Sequence, residues 1–270
     1  MPALYAHWTL GNKSIPCFSA KTQKVITKYR YAFDIGLQGP DFLFFKDMGA
    51  NKATKKLAMK LHYSPFKKTL EKFMAVYLND KQDIVLSYLY GFIGHFVLDT
   101  NGHEYINMVV DRDGVNHNEL ETEFDRHLAN AGGINMFKLK TERFLTCDEQ
   151  TANAISQVFS VFNEVSSEDI KKSIHDYYTL KKLIRIMQRF VPFVLDPAFK
   201  ILNVEEFAGG INLKRKINAK LLPYVAEVQK RYDTAFEMYP KLIKNFNEAL
   251  NGADLSDYFN RDFEQYKKGE

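Results

Sequence analysis

The stretch Tyr88-Leu-Tyr-Gly-Phe-Ile-Gly-His95-Phe-Val-Leu-Asp99-Thr-Asn-Gly-His103 constrains this chain more than any other. His95, Asp99 and His103 recur at intervals of four, which puts all three on one face of an α-helix. The residues before them are almost wholly apolar, so this face belongs inside the protein. Ionisable groups are expensive to bury unless they are paired or bind a metal. A His-x3-Asp-x3-His face in an apolar helix therefore asks for cations. At about 1.5 Å of rise per residue, His95 and His103 stand roughly 12 Å apart. A single ion with ligand bonds of about 2 Å cannot reach both. Asp99 can share an ion with His95 and offer its second oxygen to another, while His103 serves a different ion. The pattern predicts a cluster of metals.

Composition bounds what surrounds that helix. The chain has 270 residues, 46% hydrophobic and 26% charged, enough for one large domain with a real core. A net charge of +4, from 37 basic and 33 acidic residues, does not by itself argue for a nucleic-acid binder. Cys17 and Cys147 have neither zinc-knuckle spacing nor the density of a disulfide framework. They read as free thiols of a reducing compartment. The first residues lack a basic segment followed by an apolar run, so they do not read as a secretory signal. The longest apolar run, Ile84 to Leu98, falls short of the ~20 residues of a spanning helix and contains His95. It reads as a buried helix, with no transmembrane segment in the chain, and the expected location is cytoplasmic.

Helical spacing organises the rest. Val25, Ile26, Tyr29 and Phe33 predict a helix from about Ala20 to Phe33, broken by Gly36 and by Gly39-Pro40-Asp41. Phe42-Leu-Phe-Phe45 is an apolar run too short to classify, and Lys52 to His62 is helix or loop. Ser64-Pro65 reads as N-cap and first helical residue. The helix that follows turns Leu70, Phe73, Met74 and Tyr77 inward. The central helix is expected from about Asp83 to Thr100, with Gly91 and Gly94 admitting a closely packed neighbour and Asn101-Gly102 ending or distorting it. Asp113-Gly114 turns the chain, and Asn116 opens a helix carrying His117, Glu121, Phe124 and Asp125. Further helices are expected at about 148–164, 167–190, 213–232 and 233–250. A Ser-Ser-Glu-Asp169 run resembles a capping region, and Pro192, Pro197, Gly209-Gly210 and Gly252 are breaks. The polar tail Asp254–Glu270 reads as partly frayed. No strand pattern or repeat stands out, so the fold class is all-α. The chain reads as one multi-helix domain over 1–270, with chemistry in 1–125 and helical support in 135–250.

Six of the seven histidines fall in the first half. His127 and His175 read as ordinary surface or hydrogen-bonded residues. His117-x3-Glu121 alone is weak, but it puts two zinc-competent groups on one helix face. His7, Asp41, His62, the His-x3-Asp-x3-His face and His-x3-Glu together are a stronger pattern. Nitrogen and carboxylate donors without thiolate suit Zn²⁺ used in catalysis with open positions.

These residues resemble the zinc-dependent phospholipase C family, whose superfamily includes single-strand-specific zinc nucleases. The matching motifs are Ala6-His7-Trp8, Gly39-Pro40-Asp41, Leu61-His62, Gly94-His95 through Asp99 with Asn101-Gly-His103, and His117-Asn-Glu-Leu-Glu121. They span roughly residues 1–125; the second half matches only in being helical. The resemblance implies a mostly helical domain with three zinc ions at the base of a cleft. His62, His95 and Asp99 would hold the first ion, and His103, His117 and Glu121 the second. His7, Asp99 and the amine and carbonyl of the terminal residue would hold the third, with Asp99 bridging. Asp41 would contact the attacking water as general base or orienter. Removal of Met1 would make Pro2 that terminal ligand; without processing, two ions are expected.

The leading expectation is a metal-dependent phosphodiester hydrolase of phospholipase C type, using hydroxide generated on zinc at a trinuclear site. Its substrate would be a phospholipid or another phosphodiester, met in transient contact with a membrane surface. Phe42, Phe44, Phe45 or Tyr5 would line the cleft, unless they are core. The alternatives are a nuclease or nucleotidase on the same centre, the one reading that brings in nucleic acid, and a non-catalytic metal-binding protein.

Overall fold

The computed structural model describes residues 4–190 and 217–265. Among them there is no strand, and the fold is all-α. The chain runs through α1 (Leu4–Ser14), α2 (Ala20–Lys28), α3 (Arg30–Gly36), α4 (Lys52–His62), α5 (Phe66–Asp80), α6 (Asp83–Asp113) and α7 (His117–Ala131). It continues through α8 (Glu149–Phe159), α9 (Ser167–Phe190) and α10 (Leu222–Ala249). Short 3₁₀ turns at Asp41–Phe44, Lys46–Gly49 and Thr141–Leu145 link them.

The hub is α6. Every residue from Ile84 to Thr100 is buried, as expected of a helix that is apolar all round. Helices α1, α2, α3, α5, α7, α8 and α10 all pack on it. Gly91 and Gly94 let the neighbours approach: a Cβ at Gly91 would sit 2.2 Å from the Phe33 carbonyl oxygen, and one at Gly94 2.6 Å from the Tyr239 ring. The core cluster extends from Leu4 to Phe263.

Several elements differ from their sequence reading. The expected helix over 20–33 divides at Tyr29, whose φ/ψ of −120°/54° is not helical, giving α2 and α3. Ser64 does not cap α5, which begins at Phe66 with no side-chain cap; the Phe66 N–H donates instead to the Arg261 carbonyl at 2.8 Å. Leu70 and Phe73 are buried as expected, whereas Met74 and Tyr77 are half-buried. α6 does not stop at Asn101-Gly102 but runs to Asp113, ending on Gly114 at φ 67°. Asn101 is kept in the helix by its amide, which donates to the Val97 carbonyl and to the Tyr258 hydroxyl, each at 2.6 Å. The helices expected at 213–232 and 233–250 are one helix, α10, from Leu222. Its apolar row Val225, Val228, Tyr232, Ala235, Tyr239, Leu242 and Phe246 is continuous through Pro240. The breaks expected at Pro192, Pro197 and Gly209-Gly210 lie outside the described residues, as does the start of the first of those helices.

The described part of the tail is not frayed. Phe259 and Phe263 are fully buried, and the Phe263 N–H donates to the His62 carbonyl at 3.1 Å.

Candidate metal centre

The helical register of α6 places His95, Asp99 and His103 on one buried face, because the helix continues unbroken through Gly102. Four more elements bring donors to it. α1 carries His7, whose Nε2 lies 3.1 Å from Asp99 Oδ1. The turn at Gly39 (φ 53°) swings Asp41 inward; a Cβ there would sit 2.0 Å from the His95 ring. α4 ends on His62, whose Nε2 lies 3.1 Å from Asp41 Oδ1. α7 then supplies His117 and Glu121, with His103 Nε2 and His117 Nε2 at 3.1 and 3.3 Å from Glu121 Oε1.

Donor atoms converge in three groups, each within 4.8 Å: His7, His95 and Asp99; Asp41, His62 and His95; His103, His117 and Glu121. Two donors bound tetrahedrally to one zinc at about 2.0–2.2 Å are themselves about 3.3 Å apart. The observed separations are on that scale. Asp99 presents Oδ2 to His95 Nε2 at 2.9 Å and Oδ1 to His7, and its Oδ1 lies 3.8 Å from His103 Nε2. Asp41 stands among the donors, not apart from them: its Oδ1 is also 3.8 Å from His95 Nε2. That gives Asp41 a second capacity, as a ligand, beside the contact with water that the family resemblance implies. Pro2 lies outside the described residues.

Two observations fit a cation here. His95 Nε2 is buried and has no hydrogen-bond partner, although Asp99 Oδ2 is 2.9 Å away. The two atoms approach without the alignment of a hydrogen bond, as lone pairs do when they converge on a common ion. Three of the rings are also anchored at the far nitrogen. His62 Nδ1 donates to the Ala58 carbonyl at 2.8 Å, His95 Nδ1 to the Leu37 carbonyl at 3.3 Å, and His117 Nδ1 to Asn107 Oδ1 at 3.1 Å. Such partners fix the tautomer and leave Nε2 for a metal.

The electrostatics of His95 and of the three carboxylates agree. Burial, helped by the charge of His7, holds the His95 imidazole below its usual pKa, in the neutral form a metal needs. Burial pushes Asp99 up, but His95, His103 and His7 outweigh it and hold the carboxyl well below the usual range. Burial likewise opposes ionisation of Asp41 and Glu121, yet the neighbouring histidines keep both carboxylates low. Against its burial, His103 is raised well above its usual pKa by Asp99 and Glu264.

The family model for zinc-dependent phospholipase C matches residues 6–186, more than half of the chain. The chain belongs to the zinc-dependent phospholipase C family. The match reaches into α9, well past the last motif legible at Glu121. No curated protein and no solved structure matches the chain significantly.

Of the aromatics considered for the cleft, Tyr5, Phe42 and Phe45 are core. Phe44 is half-buried with its ring 5.5 Å from His62. His127 and His175 are exposed and stand apart from the three groups. Cys17 and Cys147 are free, and burial pushes the Cys147 thiol up to about 12. Sequence reasoning missed Glu264, whose Oε2 lies 3.5 Å from His103 Nδ1 and accepts a hydrogen bond from Asn107 at 2.8 Å. It also missed Asp125, which accepts the Tyr5 and Ala6 N–H groups at 3.1 and 2.7 Å and so ties α1 to α7. An acid one turn after Glu121 was the only available signal for Asp125; nothing marked Glu264.

Proposed function

We propose that this family member is a zinc-dependent phosphodiesterase of phospholipase C type, cleaving the phosphodiester of a phospholipid headgroup. The observation that carries the reading is the convergence of His7, Asp41, His62, His95, Asp99, His103, His117 and Glu121 in three overlapping donor groups. Zinc held there would supply Lewis acidity towards the phosphate and lower the pKa of a water towards about 7. His7 and Asp99 Oδ1 would hold one ion, His62 and His95 with Asp99 Oδ2 and Asp41 beside them another, and His103, His117 and Glu121 the third.

The chain's own groups do the positioning. Asp41, held as a carboxylate, orients the attacking water towards phosphorus. A carboxyl kept below its usual pKa is a weak base at neutral pH, so orientation outweighs proton removal. As the water oxygen bonds to phosphorus, the bond from phosphorus to the glycerol oxygen breaks, and the released alcohol takes up a proton. Phe44 lies beside His62, and Met59 and Tyr63, its near neighbours in sequence, are exposed apolar side chains suited to a lipid surface. Substrate would be met at a membrane surface; no described helix is long and apolar enough to cross a membrane.

The test is hydrolysis by zinc-loaded protein of phosphatidylcholine vesicles, single-stranded DNA and bis-p-nitrophenyl phosphate, each with and without chelator. Chelator-sensitive release of phosphocholine is expected. Cleavage of DNA alone would transfer the centre to a nuclease. Full zinc loading with no turnover of any diester would leave a metal-binding protein.

A further inference from the structure

Helix α9 contributes no residue to the three donor groups, yet it packs on the Asp41–Phe44 turn that carries one of the donors. Tyr177 and Lys181 are four residues apart and therefore neighbours on one face of it. The Tyr177 ring is fully buried, stacked on Phe45 at 3.9 Å with the planes within 3°, and Lys181 Nζ lies 5.7 Å above the same ring. Phe45 directly follows the turn that carries Asp41. Both side chains feel the same three carboxylates, Asp41, Glu121 and Asp125.

Neither polar head is satisfied. The Tyr177 hydroxyl is buried with no hydrogen-bond partner. A buried hydroxyl left unpaired is unfavourable and needs an explanation. Lys181 is half-buried and, among the described residues, has no carboxylate within ion-pair distance. The next basic residue on the face behaves differently: Arg185 makes a bidentate pair with Glu142, Nε and Nη2 donating at 2.7–3.0 Å. That pair neutralises Arg185 and fastens α9 to the Thr141–Leu145 turn. The Asp47 N–H, donating to Asp176 at 2.8 Å, fastens it nearer its start. Lys181 is thus a cation without an ion-pair partner among the described residues, on a helix held at both ends. Burial lowers its pKa to about 8 while the three carboxylates pull it upward, so it keeps its charge at neutral pH.

We propose that Tyr177 and Lys181 form an anion-binding wall beside the metal donors that grips a phosphate oxygen of the substrate. This rests on the phosphodiesterase reading for its substrate but not for its geometry. The ammonium and the phenolic O–H donate to one non-bridging oxygen, and the Phe45–Tyr177 stack keeps the pair from rotating away. The wall adds a fixed positive charge where the attack loads the phosphate with negative charge. Arg185 is a positioning residue for it.

The experiment uses inorganic phosphate as the probe on zinc-loaded full-length protein, with calorimetry for Kd, elemental analysis for zinc, melting temperature, and bis-p-nitrophenyl phosphate turnover. Lys181→Gln is expected to weaken phosphate binding on the order of tenfold or more, the scale of one charge-assisted hydrogen bond. Zinc content and melting temperature should stay at wild-type values. Lys181→Arg should recover most of the binding, and Tyr177→Phe should lose a few-fold. Wild-type phosphate affinity in Lys181→Gln overturns the proposal. So does loss of zinc or of the fold in that variant, because the lysine would then serve the structure of the centre. If phosphate binding falls as expected while wild type cleaves no diester, the wall stands and the phosphodiesterase reading fails. If wild type cleaves diesters and Lys181→Gln does so unchanged, the reverse holds.

Discussion

Two regions of the candidate metal centre are built by different means. The His103, His117 and Glu121 group comes from α6 and α7, consecutive helices joined at Gly114 and an Asn116 cap. The linked groups around His95 draw on four elements: α1, the turn at Asp41, α4 and α6. His117 is half-buried, whereas every donor of the His95 side is buried. The first region forms wherever one helical hairpin forms. The second exists only when α3 has packed on α6, carrying Asp41 into reach, and when α1 has docked by way of Asp125. The local group should therefore survive damage that abolishes the buried one.

The largest effect should come from Asp99→Asn. The change keeps the side-chain shape but removes the charge and turns one acceptor into a donor facing either His7 or His95. Both groups that share His95 should loosen together, while the α6–α7 group keeps its ion. Zinc stoichiometry should fall from three towards one per chain, and diester turnover on the order of 10²–10³-fold, the cost of losing a preorganised electrostatic contact. Wild-type zinc content in this variant would break the contrast between the regions, and with it the shared role of Asp99.

A pair of glycine substitutions sharpens the contrast at the level of packing. In Gly91→Ala the new Cβ would meet the Phe33 oxygen at 2.2 Å and the Leu37 nitrogen at 2.8 Å, both backbone atoms of the α3 region. Overpacking of this kind costs about 1–3 kcal/mol, more than the ~1 kcal/mol that alanine adds to a helix. A melting temperature several degrees lower is expected, with weaker zinc on the His95 side, since Leu37 orients that ring. In Gly102→Ala the nearest atom is Ile106 Cδ1 at 3.9 Å, an ordinary contact. The same change eleven residues on should be neutral or stabilising and leave the His103 group intact. Equal melting temperatures for the two variants would show that the α3–α6 contact does not set the stability of the buried region.

What could be read from the sequence follows the same division. Helical periodicity alone set His95, Asp99 and His103 on one face of α6 and His117 with Glu121 on one face of α7, while their grouping across the two helices came from the family resemblance. The all-α class was legible from the same periodicity. The grouping of Asp41 with His62 was not, since it depends on a left-handed glycine and on where α4 ends. The end of α6 was misread because Asn101 and Gly102 are weak helix formers locally, and the partner that keeps Asn101 in place, Tyr258, lies 157 residues away. Tyr177, Lys181 and Glu264 carried no spacing that tied them to the centre. Only the packing of α9 and the return of the tail along α4 and α6 reveal them.

The smallest effect tests whether even the local region leans on distant chain. Glu264 brings the tail to His103, accepting from Asn107, the residue that also anchors His117. It therefore steadies both imidazoles of the α6–α7 group from behind. Burial favours the neutral acid, but His103 and the Asn107 amide outweigh it and hold the carboxyl down at about 2. Such a group adds stability above the unfolded glutamate pKa of about 4.5 and loses that contribution as pH falls towards 2. Glu264→Gln keeps the contact with Asn107 and removes the charge. Zinc affinity at the α6–α7 group should fall about tenfold, the lower end for loss of a partner behind a ligand. The groups around His95 should hold their ions as before, and the acid limb of the stability curve between pH 4.5 and 2 should flatten. Competition with a zinc chelator at neutral pH reads the first effect, and acid titration of chelator-treated protein the second. An unchanged affinity at the α6–α7 group would mean that α6 and α7 alone fix His103 and His117, and the hairpin would then be self-sufficient as a metal site.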